Sequence, residues 1–223
     1  MDTKSWLRLL AQAALAYAVF FTGWGWDDLG GFFAHPARAG LVAVGLLNIV
    51  AVVALRIPLD MLRKGSKPVG AQRFLLAGLM LLGLMVMFLL PYGDRRGWLV
   101  HGAPDALRYL GLALYAAGNA LAFAAVKTLD RQYSGYVTLQ DGHQLIQHGI
   151  YSLIRHPIYL RMLLVGVSVP LIFRSWLWIP FLLVIVGIVA YRIRAEEKLL
   201  AEQFGAEFDA YRRRTWRLIP YLY

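Results

Sequence analysis

The sequence predicts an all-α, polytopic integral membrane protein with about six transmembrane segments, the last two forming a C-terminal helical hairpin. Three observations predict it. Of 223 residues, 59% are hydrophobic and only 16% are charged, against roughly 45–50% and about 25% in soluble domains. The apolar residues are gathered in runs near the ~20 residues that cross a bilayer. Aromatic residues make up 13%, which suits a chain with many rings at membrane interfaces.

The first apolar segment runs from about Leu7 to Trp26. It is too long for a signal peptide and lacks a small-residue cleavage site. The second spans about Ala39–Leu55, the third Phe74–Tyr92 and the fourth Ala106–Val126. Ile158–Phe173 and Trp176–Tyr191 are shorter and are separated by Arg174 and Ser175. At 1.5 Å per residue each covers about 24 Å, so they read as a tight hairpin that thins the bilayer locally or tilts little. A helix then continues out of the membrane to Phe204, where Gly205 reads as a stop. A further helix, about Ala206–Trp216, ends before Pro220. Phe204, Phe208 and Tyr211 recur along it at helical spacing, as a membrane-surface stripe, a cover over a site or a packing face.

The net charge of +10 belongs to this topology and not to nucleic-acid binding, because the basic residues flank apolar runs. With the N-terminus inside, 17 of the 23 Lys and Arg fall on the inner side. Arg38, Arg95, Arg96, Arg108 and Arg174 fall outside, and Arg161 lies within a segment. Both termini and the 127–157 linker are therefore expected in the cytosol, of a bacterial inner membrane or an endomembrane. There are no cysteines, which excludes disulfides, thiolate nucleophiles, iron–sulfur clusters and cysteine zinc sites. His143 and His148 have no metal-type partners nearby, so no metal is expected. Gly23-Trp24-Gly25 lacks the third glycine and the strand context of a dinucleotide loop.

Polar residues concentrate in two places. The first is His143–Tyr159, directly before the hairpin, with Gly149, Tyr151, Arg155, His156 and Pro157. Pro157 is expected at the first helical position, where its missing N–H costs nothing. Arg155 and His156 then stand at a helix N-terminus, which favours an anion. A lipid-phosphate anchor with a capping histidine is the alternative reading. The second cluster is Arg192-Ile-Arg194-Ala-Glu196-Glu197-Lys198, which the hairpin returns to the same face. Adjacent glutamates point about 100° apart on a helix, so one would take a ligand hydroxyl or amine and the other an arginine. The alternative is an exposed helix with an Arg192–Glu196 pair, worth ~0.2–0.5 kcal/mol.

The order His143-x-Leu145, Gly149-x-Tyr151, Arg155-His156-Pro157-x-Tyr159, an apolar hairpin, then Arg192-Ile, Glu196-Glu197, Leu200, Phe204-Gly205, Tyr211 and Pro220 resembles the isoprenylcysteine carboxyl methyltransferase family. Phospholipid methyltransferases are similar in this region. The resemblance covers about residues 133–220. It implies an integral-membrane methyltransferase without a Rossmann domain, using S-adenosylmethionine (AdoMet). By motif position, His143, Leu145, Gly149, Tyr151, Arg155, His156, Pro157 and Tyr159 would line the cofactor pocket, closed by Glu196 and Glu197. Arg155, Glu196 and Glu197 are the residues expected to serve catalysis. Residues 127–223 would form the catalytic core. Residues 1–126, which carry no family signature, would set specificity. Arg161 stands where the family usually has a small residue; it is expected to border the substrate channel, and snorkelling back to the inner interface is the alternative reading.

The chemistry is compatible with that implication. An arginine and a helix start suit a carboxylate, a glutamate suits an ammonium or ribose hydroxyls, and tyrosines suit an adenine or a sulfonium. The expected partners are membrane lipid and a hydrophobic or membrane-partitioned acceptor: an isoprenylcysteine-like carboxylate, a phospholipid amine or a small thiol. A transporter or sensor that keeps the pocket is the rival. It should show midplane charges and broken helices, whereas the polar residues here gather at one face.

Overall fold

The computed structural model describes residues 3–54, 72–102, 104–129 and 144–222. Among these the regular elements are helices: α1 Thr3–Trp24, α2 Leu29–Phe33, α3 Pro36–Ala54, α4 Gln72–Arg96, α5 Ala106–Leu129, α6 Pro157–Ile172, α7 Trp178–Phe204 and α8 Ala206–Arg214. Four of them are long and apolar enough to cross a membrane: α3, α4 over Ala77–Arg96, α5 and α7. The expected first and fifth segments are shorter apolar helices, Leu10–Trp24 and Pro157–Ile172. Leu47, Leu81 and Leu183 are each more than 60% exposed. Side chains of that kind, spread along whole helices, are at home against lipid rather than water. The chain has the fold of a polytopic integral membrane protein.

The helix ends follow local chemistry. Pro157 opens α6, as its fixed φ and missing N–H favour. Asp28 caps α2 by accepting a 3.0 Å hydrogen bond from the Gly31 N–H. Gly205 takes φ 49° between α7 and α8, a conformation costly for a residue with a side chain.

The residues fall into two compact units whose boundaries cut across α5, α6 and α7. Unit 1 comprises residues 1–56, 73–116 and 165–182; unit 2 comprises 57–72, 117–164 and 183–223. The division of roles expected at residue 126 is a separate matter and stays a proposal.

Unit 1 has an aromatic core of Phe20, Trp24, Phe32, Leu90, Ile172 and Phe173 among others. Phe20 and Trp24 each meet Phe32 edge to face, at 5.5 and 5.4 Å. A side chain on Gly23 would overlap the Phe88 carbonyl, and one on Gly111 the Ser168 carbonyl. These are the close backbone approaches that small residues allow between membrane helices.

Unit 1 also buries an ionic cluster. Asp94, 1% exposed, accepts from Arg108 at 2.7 and 2.9 Å and from Arg38 at 2.8 Å. Arg38 further donates to the Phe32 and Gly31 carbonyls, and Arg108 to the Ile172 carbonyl. These bonds satisfy carbonyls at helix ends that have no partner inside their own helix.

Candidate functional site

In unit 2 the segment before α6 is built from a tight turn. Gly149 takes φ 59° and opens a 3-10 turn over Gly149–Ser152. The chain then extends to His156, and the C-terminal residues run alongside it. The Trp216 N–H donates to the Leu153 carbonyl at 3.0 Å. The Arg155 N–H donates to Trp216 at 2.8 Å, and the His156 N–H to Arg217 at 3.1 Å. Ile154 and Trp216 thus form a parallel bridge. The Tyr211 hydroxyl adds a 2.7 Å bond to the Tyr151 carbonyl.

Side chains on this frame converge on Glu197, a buried residue of α7. Arg155 Nε donates to it at 3.2 Å and Arg217 Nη2 at 2.7 Å, with Arg217 Nε at 3.0 Å. His156 Nε2 lies 3.2 Å from the same carboxylate. Two guanidiniums and an imidazole around one carboxylate make charge-assisted contacts with little competing water. Arg155 Nη1 reaches the tail as well, donating to the Thr215 carbonyl, to Thr215 Oγ1 at 3.1 Å and to the Arg212 carbonyl at 3.1 Å.

Glu196, the neighbouring carboxylate, is placed differently. Its side chain is 34% exposed, and its Oε1 lies 3.7 Å from His156 Nδ1. That nitrogen is buried and has no hydrogen-bond partner among the described residues. One turn into α6, the Tyr159 hydroxyl accepts from Arg192 Nε at 3.2 Å, and the His156 and Tyr159 rings stand 5.7 Å apart.

The structure therefore brings Tyr151, Arg155, His156, Tyr159 and Glu197 into one buried network. Pro157 starts the helix beneath it, and Glu196 stands at its accessible edge. Gly149 supplies the turn, and Leu145 is half-buried on the approach to it. His143 lies outside the described residues. Arg155, expected to face a ligand anion, has its Nε and Nη1 committed to Glu197 and the tail. Arg161 is half-buried, with Nε buried and no hydrogen-bond partner for it among the described residues. Two positions after Tyr159, it points about 200° around α6. The Phe208 and Tyr211 stripe is buried, at 1% and 3% exposure, so it packs inward and is not a membrane-surface face. Burial pushes the Tyr211 hydroxyl up to about 12.

Arg217 and Thr215 were missed as site residues. No spacing or composition in the tail marks them; they become neighbours of Arg155 only through the backbone bridge. Among the described residues there is no cluster of three or more His, Asp or Glu suited to a metal ion.

Residues 110–202 match the family model of the isoprenylcysteine carboxyl methyltransferase (ICMT) family. A rice protein described as a probable protein-S-isoprenylcysteine O-methyltransferase (Oryza sativa subsp. indica) is 31% identical over 117 residues, covering 51% of this chain and 61% of that protein. The protein-S-isoprenylcysteine O-methyltransferase of Saccharomyces cerevisiae is 31% identical over 116 residues, 51% of this chain and 48% of its own length. The Arabidopsis thaliana protein-S-isoprenylcysteine O-methyltransferase A is 27% identical over 115 residues, 50% and 58% respectively. The alignments thus span about half to three-fifths of these relatives. A solved structure of the eukaryotic intramembrane Ras methyltransferase ICMT aligns with a TM-score of 0.48 at 18% identity, covering 99% of this chain and 87% of that one. The resemblance read from the motifs is thereby shown: over residues 110–202 the chain is similar to the isoprenylcysteine carboxyl methyltransferase family.

Proposed function

We propose that this chain is an integral-membrane, AdoMet-dependent methyltransferase acting on a hydrophobic or membrane-partitioned acceptor. The observation that carries the reading is the Glu197 network: the motif residues before α6 and those late in α7 meet around one carboxylate, within the part of the chain shared with methyltransferase relatives. The residues fit the group in chemistry. Glu196 offers an accessible carboxylate for an ammonium or ribose hydroxyls, beside a buried His156 nitrogen that has no hydrogen-bond partner among the described residues. Tyr151 and Tyr159 offer rings for adenine or the sulfonium.

Bound there, AdoMet supplies an electrophilic methyl group. The protein's contribution is alignment and exclusion of water, which accelerate an in-line displacement without covalent help. Glu196 holds and orients the cofactor. Arg155 is a positioning residue: it ties Glu197 to the tail and so fixes the wall of the site. Leu145 and Gly149 shape the approach. Arg161, on another side of α6 from Tyr159, borders the acceptor channel. An anionic carboxylate or thiolate acceptor needs no general base. A phospholipid amine does, and Glu196 or His156 would supply it. Residues 1–126 choose among these acceptors, with both termini in the cytosol.

The test is a labelled-methyl screen of the purified protein against prenylcysteine, phospholipid and thiol acceptors. Transfer to at least one is expected, and AdoMet binding with transfer to none would favour the rival sensor reading. Reporter fusions at Tyr223 and near Gln140 should report from the cytosol; signals from the opposite side would overturn the topology.

A further inference from the structure

We propose that the turn between α6 and α7 binds the phosphate of a glycerophospholipid, with Arg174 as its main ligand. The site lies wholly in unit 1 and is independent of the methyl-transfer reading.

The first ground is charge. Three guanidiniums, those of Arg38, Arg108 and Arg174, lie within 4 Å of Asp94. Asp94 is the buried carboxylate among them; Asp105, 3.5 Å from Arg108 Nε, is 62% exposed. A sheltered excess of positive charge calls for an anion from outside.

The second ground is the state of Arg174. Arg38, and the Nη1 and Nη2 groups of Arg108, donate to Asp94 and to backbone carbonyls, while Arg108 Nε is buried without a hydrogen-bond partner among the described residues, 3.5 Å from Asp105. Arg174 Nη2 is 3.7 Å from Asp94 Oδ1, too far for a hydrogen bond. Its Nε is buried with no partner among the described residues, while a third of its side chain is exposed. Nε and Nη2 share the edge that turns inward to the cluster, and the exposed third of the side chain leaves the guanidinium within reach of a phosphate from outside.

The third ground is presentation. Arg174 is held at φ 49°. Its carbonyl accepts from the His101 N–H at 2.8 Å, and the flanking Ser175 and Trp176 N–H groups donate to Pro170 and Leu99. The side chain therefore leaves a fixed turn, so little freedom is lost on binding. Trp176 on this turn, and Trp98 and Leu99 on the segment after α4 that bridges to it at Val100 and Ser175, are 50%, 45% and 41% exposed. Exposed tryptophans mark the headgroup level of a bilayer, which favours a lipid over free phosphate.

The experiment is a native mass-spectrometric titration of the full chain in non-ionic detergent. The probes are phosphatidylglycerol, diacylglycerol of the same acyl chains and inorganic phosphate. One phosphatidylglycerol should bind at least about tenfold more tightly than either other probe, and Arg174→Gln should remove about that factor. Arg213→Gln, at an exposed position of α8, should not. Equal phosphatidylglycerol affinity in Arg174→Gln, or equal affinity for diacylglycerol, overturns the proposal. Tighter binding of inorganic phosphate overturns its lipid part. If Arg174→Gln does not fold, phenylglyoxal modification of Arg174 in the unaltered protein decides: phosphatidylglycerol should slow it and diacylglycerol should not. Lack of protection overturns the proposal.

Discussion

Glu197 in unit 2 and Asp94 in unit 1 are both buried carboxylates ringed by arginines, yet the two rings leave different things open. Around Asp94, the closest arginines also bind carbonyls at helix ends, so the cluster ties backbone together. Around Glu197, the arginines tie the tail to the segment before α6, and the preceding residue, Glu196, stays accessible beside a histidine nitrogen without a hydrogen-bond partner among the described residues. The same ion-pair chemistry builds a scaffold in one place and the wall of the proposed site in the other. What separates them is the polar capacity left over once the scaffold is satisfied.

The largest expected effect sharpens that contrast. Asp94→Asn leaves buried guanidiniums without their counter-charge, and breaking a buried pair costs roughly 3–5 kcal/mol. Thermal unfolding in detergent should show it, while AdoMet affinity of the folded fraction is unchanged. Glu197→Gln should cost less stability, roughly 1.5–3 kcal/mol, because its partner Arg217 stays 30% exposed and can turn to solvent. Unlike Asp94→Asn, it should also abolish AdoMet binding by calorimetry. If both variants lose stability and neither loses binding, the two rings are alike and the contrast fails.

Arg155→Lys keeps the charge but cannot reach Glu197, Thr215 and Arg212 at once. Stability and AdoMet affinity should fall together, the latter by about tenfold, or about 1.4 kcal/mol. Limited proteolysis should then cut after Arg214 more readily. A loss of affinity with unchanged proteolysis would instead make Arg155 a direct ligand for an anion.

Legibility in the sequence follows range. The apolar runs, Pro157 at the start of α6 and Gly205 at the end of α7 depend on neighbouring residues, and all three were readable. The continuation of α7 beyond the apolar run was readable for the same reason. The short α2, with its fully buried Phe32, was not: five residues carry too little periodicity. The motif residues were visible through resemblance, but Arg217 and Thr215 were not, since their roles come from a backbone bridge across some 60 residues of chain. The Asp94 cluster was invisible because its members, Arg38, Asp94, Arg108 and Arg174, are scattered over four segments with no common motif.

The smallest effect concerns the tail. Tyr211→Phe removes one buried hydrogen bond, worth about 1 kcal/mol. Burial raises the Tyr211 hydroxyl from its ordinary 10.0 to about 12 in the folded chain. Its stabilisation is therefore complete below pH 10 and is lost as the pH rises from 10 towards 12. Tail docking, followed by proteolysis, should weaken over that window, and Tyr211→Phe should remove this part of the alkaline sensitivity.

The central claim, that the leftover capacity at Glu196 is a cofactor site walled by the Glu197 network, is tested most directly by calorimetric titration with AdoMet and S-adenosylhomocysteine. The unaltered protein should bind each near 1:1. Glu196→Gln, which leaves the Glu197 ring intact, should lose at least about tenfold in affinity for both with an unchanged unfolding temperature. Absence of binding in folded, unaltered protein, or equal affinity in Glu196→Gln, would contradict the account.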